Sequence, residues 1–158
     1  MKHAVKVGFS FGLTSGIITT LGLMVGLWAG TQSTNIVLAG IMTIAVADAF
    51  SDALGIHISE ESEKKHTSKQ IWQSTMVTFT TKFFIAMSFV VPILFLPLQV
   101  AIGVNIAYGL TLLGVFSYHI AHKRNLKHLE TMLEHLAIAV LVIFVTNLFG
   151  TVVRTMLA

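Results

Sequence analysis

The chain has 158 residues, of which 54% are hydrophobic and only 11% charged, and its mean hydropathy is +0.82. Soluble domains carry about 25% charged residues, and a single core of this length cannot hide so much apolar surface, which argues against a soluble globular enzyme. The lack of cysteine excludes disulfide frameworks, thiolate metal sites and thiol catalysis. We therefore predict an integral membrane protein with one transmembrane domain over residues 1–158.

Five apolar stretches follow one another along the chain, and each has about the twenty residues that a helix needs to cross a hydrocarbon core of about 30 Å. They are residues 7–28, 36–58, 71–96, 99–118 and 136–153. The first follows Lys2 and Lys6 as a signal peptide would, but it is long, glycine-rich and has no small-residue cleavage site before Thr31. The sequence predicts an all-α fold, an integral membrane bundle of five transmembrane helices.

Basic residues are concentrated in alternate connections between these spans. They are Lys2, Lys6, Lys64, Lys65, Lys69, Lys123, Arg124 and Lys127. The other connections, residues 29–35 and 97–100, carry no charge. By the positive-inside rule the N-terminus is expected to be cytoplasmic and the C-terminus outside. The formal charge of +3 is thus an orientation signal, and we expect no nucleic-acid partner.

Small residues recur on one helical face of the first span, at steps of three and four. They are Gly8, Gly12, Ser15, Thr19, Gly22 and Gly26. Such a face lets another backbone approach closely, so we interpret it as a packing surface, a use that is compatible with lining a narrow polar path. The hydroxyl groups of Ser15 and Thr19 either line that path or bond back to their own helix.

Two carboxylates stand one turn apart in the second span, which is otherwise apolar. Asp48 and Asp52 share a helical face with Ala45, Gly55 and Ser59. Each aspartate at the bilayer centre costs about 2.5–3.5 kcal/mol on insertion scales, so the pair is a candidate functional site. Two such carboxylates either bind one divalent cation or share a proton. Either behaviour suits a cation pathway coupled to protons.

An internal ion pair is the alternative explanation for these carboxylates. Lys82 in the third span and Asp48 in the second lie at similar depths, about eleven and ten residues from the cytoplasmic ends. Their pairing would leave Asp52 unpaired and more accessible, which favours Asp52 as the transport residue. We hypothesise that Lys82 is a counter-ion that occupies Asp48 when no metal is bound.

Two stretches of the sequence resemble the vacuolar iron transporters, five-helix membrane proteins that move ferrous or manganous ions out of the cytoplasm. The stretches are FGLTSGIITTLGLMVG at residues 11–26 and AGIMTIAVADAFSDALGIHISEESE at residues 39–63. Ser15 stands where the family has an aspartate, and Asp52 where it has a methionine. A carboxylate in place of a thioether weakens any preference for soft metals. The odd number of helices and the small-residue faces favour a homodimer, and the resemblance implies metal transport through a pathway near the subunit interface.

The connection between the second and third spans is acidic as well as basic. It contains Glu60, Glu61, Glu63 and His66 beside three lysines. One interpretation is a solvated turn of mixed charge. The other is a metal-capture site at the mouth of the pathway, with Ser59 lining the path below it. His57 lies about 140° around the helix from Asp52, so we do not expect it to be a ligand.

The connection between the fourth and fifth spans is rich in histidine. It contains His119, His122, His128 and His135. The spacing lacks the Glu-x-x-His step of di-iron bundles, and leucines at helical spacing favour an amphipathic helix on anionic headgroups.

The sequence predicts a transporter rather than an enzyme, since neither a phosphate-binding loop nor a nucleophile with a base at defensible spacing occurs. The predicted function is export of Fe²⁺ or Mn²⁺ in exchange for protons, in a prokaryotic cytoplasmic membrane. The metal is substrate, and no resident cofactor is expected; the partners are protons, membrane lipid and a second copy of the chain. The alternatives are a passive channel, a proton-linked carrier of another small cation, and a non-transporting assembly subunit.

Overall fold

The computed structural model describes residues 2–63, 65–123 and 126–157, and the regular structure in these ranges is entirely α-helical. The helices are α1 (Lys2–Thr31), α2 (Thr34–Ser62), α3 (Ser68–Ser88), α4 (Val90–Phe95), α5 (Leu98–Lys123) and α6 (His128–Leu157). The all-α prediction is confirmed.

Five helical segments within the described residues are long and apolar enough to cross a membrane. They are His3–Thr31, Thr34–Ser62, Ser68–Phe95, Leu98–Lys123 and His128–Met156. These segments contain the five predicted stretches almost completely, so the prediction of five helices able to span a membrane is confirmed. The side on which each terminus lies stays a prediction.

The third span is divided into two helices. α3 ends at Ser88, the backbone N–H of Phe89 donates to the carbonyl of Ala86 at 3.2 Å, and α4 begins at Val90. Pro92 explains the interruption, because in a continuous helix its ring would clash with the carbonyl four residues earlier. In the first turn of α4 its missing N–H is no loss.

A capping box fixes the start of α3. The backbone N–H of Thr67 donates to Oε1 of Gln70 at 2.9 Å, and the Thr67 hydroxyl accepts from the N–H of Gln70 at 3.4 Å. This reciprocal pair satisfies two backbone donors at the helix end. It also holds in place the short connection that carries His66.

The chain groups into two compact units, Met1–Thr20 with Ile41–Val90, and Leu21–Gly40 with Val91–Ala158. In the first unit, glycines of α1 pack against α3. A Cβ added at Gly8 would lie 2.5 Å from the backbone oxygen of Ser74. The prediction of one domain over the whole chain stays a prediction.

In the second unit, the later glycines of α1 pack against α6. A Cβ at Gly22 would lie 2.8 Å from the side chain of Val142, and one at Gly26 would meet Thr146. Gly150 of α6 approaches the backbone of Gly26 so closely that a Cβ there would overlap its carbonyl oxygen. The interpretation of the small-residue face as a packing surface is therefore confirmed at Gly8, Gly22 and Gly26.

The histidine-rich connection differs from the sequence prediction. Residues 128–135 form the first two turns of α6 instead of a separate helix between two spans. The leucine spacing that favoured an independent amphipathic helix continues without a break into the fifth span, so one helix accounts for both. Ser117 and His135 connect α5 and α6 through a 2.8 Å hydrogen bond.

We expect Gly8→Ala to destabilise the protein by about 1–3 kcal/mol, because the added methyl group must push two helix backbones apart. The matched control is Gly103→Ala in α5, where a Cβ meets nothing within 4 Å and helix propensity improves. Thermal unfolding of the purified variants in detergent measures the difference. Equal unfolding temperatures for Gly8→Ala and the native chain would contradict the packing argument.

Candidate cation site within the membrane spans

The two carboxylates of α2 share one ammonium group from α3. Lys82 Nζ forms an ion pair with Asp48, 2.5 Å from its Oδ2, and donates a hydrogen bond to Oδ2 of Asp52. The Lys82 side chain is 1% exposed, whereas those of Asp48 and Asp52 are 25% and 19% exposed. The ammonium group of Lys82 is thus buried, whereas the two carboxylates remain partly exposed.

Ser15 brings α1 into the same cluster. Its hydroxyl donates to Oδ2 of Asp52 at 2.6 Å and accepts from Nζ of Lys82 at 2.8 Å. Three helices of the first unit therefore contribute to one polar cluster, which we call the carboxylate cluster: Ser15, Asp48, Asp52 and Lys82. Carboxylate and hydroxyl oxygens are hard donors of the kind that bind divalent cations.

The ion pair predicted between Asp48 and Lys82 is present, but the expectation that Asp52 is unpaired and more accessible is wrong. Asp52 contacts both Lys82 and Ser15 and is the less exposed of the two carboxylates. The reason is the four-residue step, which places both carboxylates on one face within a single turn. The long stem of Lys82 lets its ammonium group reach between them.

The other residues predicted to line the pathway have local partners. The Thr19 hydroxyl donates to the backbone oxygen of Ser15 at 2.8 Å, which is one of the two alternatives that the sequence left open. Ser59 is exposed, and its carbonyl accepts from the Ser62 hydroxyl at 2.8 Å. Their roles in a pathway stay predictions.

The acidic residues of the connection after α2 differ in burial. Glu60 is buried, whereas Glu61 and Glu63 are exposed. His57 lies 3.0 Å from the Thr75 hydroxyl through Nδ1, away from the carboxylate cluster. The role of the three glutamates in metal capture stays a prediction.

Sequence reasoning missed His3, which the fold brings to Glu60 and His66. One ligand atom from each of these residues lies within 4.8 Å of the others. His3 and Glu60 are far apart in sequence and belong to different helices. No spacing rule could have joined them, since spacing reports only neighbours on the same helix.

The fold and the carboxylate cluster define an integral membrane protein with ionisable groups held inside its spans. The model of the VIT family matches residues 9–73, which include Ser15, Asp48 and Asp52 but not Lys82. Over these residues the chain is similar to the vacuolar iron transporter family, whose members are transporters. No curated protein matches the chain.

We expect Lys82→Met to destabilise the chain by about 3–5 kcal/mol, because it leaves two neighbouring carboxylates without their shared cation. Combining it with Asp48→Asn and Asp52→Asn should recover most of that loss. The control is Lys127→Met, whose side chain is 78% exposed beside Glu130 and should contribute less than about 1 kcal/mol.

Unfolding of all these variants in the same detergent provides the comparison. A triple variant no more stable than Lys82→Met would show that the ion pairs are not the reason for the loss.

Proposed function

We propose that this chain exports a divalent metal ion, Fe²⁺ or Mn²⁺, from the cytoplasm in exchange for protons. The observation that carries the proposal is the convergence of Asp48, Asp52 and Ser15 on one cation inside the membrane spans. The VIT family match supports metal transport at the level of the family.

The ammonium group of Lys82 stands where the site's oxygen atoms converge, so an arriving metal ion competes with it for the same ligands. The charge balance favours exchange with a proton. Two carboxylates balance the charge of one divalent ion, and a further positive charge in a low-dielectric site is unfavourable. Metal entry therefore favours the departure of a proton from the cluster, and metal release favours its return.

The remaining parts of the proposal follow the sequence analysis. Glu60, Glu61 and Glu63 gather metal on the cytoplasmic side, and Thr19 and Ser59 line the path. A homodimer places the pathway near the subunit interface, and the host is a prokaryotic cytoplasmic membrane. Oxygen ligands alone give little discrimination among Fe²⁺, Mn²⁺ and Mg²⁺.

Asp52→Asn should abolish uptake of Fe²⁺ or Mn²⁺ into proteoliposomes driven by an imposed pH gradient, because it removes a ligand that the metal and Lys82 share. Anaerobic flux assays with the native chain, Asp52→Asn and Glu130→Gln measure this. Glu130→Gln is the matched control, since it removes an exposed carboxylate, 61% accessible, outside the cluster. Its flux should equal that of the native chain.

Three outcomes contradict the proposal in different ways. Flux that competing divalent metals do not inhibit indicates a carrier of another cation. Flux that does not depend on the pH gradient indicates a passive channel. Normal insertion and phenotype with Asp48→Asn and Asp52→Asn combined indicate an assembly subunit.

Lys82→Met tests the exchange step itself. We expect tighter metal binding, because the competing ammonium group is gone, together with flux that no longer responds to the pH gradient. Binding by isothermal titration of the folded fraction, followed by flux at several pH gradients, measures both effects. Unchanged pH dependence of the flux would exclude a role for Lys82 in the exchange.

A further inference from the structure

Three potential metal ligands meet at the end of the first unit where α1 begins and α2 ends. His3 lies in the first turn of α1, Glu60 near the end of α2, and His66 in the connection to α3. His66 Nε2 is 3.6 Å from Oε2 of Glu60, and the rings of His3 and His66 are stacked with centroids 5.3 Å apart.

Glu60 is the unusual member of this group. The residue is 7% exposed, and no hydrogen-bond donor among the described residues reaches its buried Oε2 atom. A buried carboxylate oxygen that lacks a donor is unfavourable. A cation held between this oxygen and the two imidazole rings would supply the missing interaction.

We propose that His3, Glu60 and His66 form a binding site for a divalent first-row transition metal ion. A tetrahedral ion with bonds of about 2.0–2.1 Å sets adjacent ligand atoms about 3.4 Å apart, close to the observed separation of His66 and Glu60. All three ligand atoms already lie within 4.8 Å of one another. His3 is exposed in the first helical turn, so a side-chain rotation brings its ring nitrogen into range.

The donor set determines the class of ion. Two imidazole nitrogens and one carboxylate oxygen suit ions such as Fe²⁺, Co²⁺ and Zn²⁺, whereas Mg²⁺ and Ca²⁺ prefer oxygen ligands alone. Glu63 is a further ligand within reach, since its Oε2 lies 3.7 Å from Nε2 of His66. Its side chain is 52% exposed, so it can leave the metal, which suits an exchangeable site.

Co²⁺ is the probe of choice, because its visible absorption reports nitrogen ligation and coordination number. The full chain, purified in detergent and freed of any histidine tag, should bind Co²⁺ at this site and resist displacement by a large excess of Mg²⁺. His3→Ala, Glu60→Gln and His66→Ala should each weaken that binding by at least about tenfold. His3→Ala carries the test if a substitution at buried Glu60 impairs folding.

Two control variants separate this site from other clusters. His122→Ala removes a histidine 3.3 Å from His128 in the other unit and should leave Co²⁺ binding unchanged. Asp52→Asn removes a ligand of the carboxylate cluster, so Co²⁺ binding that persists in this variant does not depend on that cluster. Co²⁺ affinity that is equal in the native chain and His3→Ala, or that is lost in Asp52→Asn or His122→Ala, would overturn the assignment.

Discussion

The sharing of one buried ammonium group by two carboxylates is the interaction on which the first unit depends. Lys82 can satisfy Asp48 and Asp52 together only if α2 and α3 lie side by side. The glycines of α1 let this helix pack closely against α3, since Gly12 brings the α1 backbone against Thr78 and the backbone of Lys82. The same close approach lets the short side chain of Ser15 reach the cluster, so helix packing and the polar site have one structural cause.

Most of the features that the sequence predicted correctly are local. Hydropathy identified five spans, and helical periodicity placed Asp48 and Asp52 on one face, because both depend only on neighbouring residues. Counting residues from the cytoplasmic ends of the spans also predicted the ion pair between Lys82 and Asp48. Depth does not report the rotation of a helix about its axis, so the second contact of Lys82 with Asp52 was not predictable. His3 was missed for the related reason that its neighbours come from other helices.

The structure relates the two departures from the family pattern, at positions 15 and 52, to each other. The sequence has Ser15 where the resemblance leads one to expect an aspartate, and Asp52 where it leads one to expect a methionine. The Ser15 hydroxyl lies 2.6 Å from Oδ2 of Asp52, so the two positions are neighbours. A carboxylate on α2 thus occupies nearly the same space as one on α1 would. An aspartate at position 15 as well would crowd three carboxylates around Lys82 and add an unbalanced negative charge.

The two proposed sites differ in their donor atoms and therefore in the ions that they can distinguish. The carboxylate cluster offers only oxygen, which Mg²⁺ accepts as readily as Fe²⁺ or Mn²⁺. The group of His3, Glu60 and His66 offers nitrogen, which Mg²⁺ avoids. Glu60 is eight residues from Asp52 on α2, about 12 Å along the helix. In the two proposals together, the ion is selected at His3, Glu60 and His66 before it reaches the carboxylate cluster. The carboxylate cluster then needs only to exchange that ion for a proton.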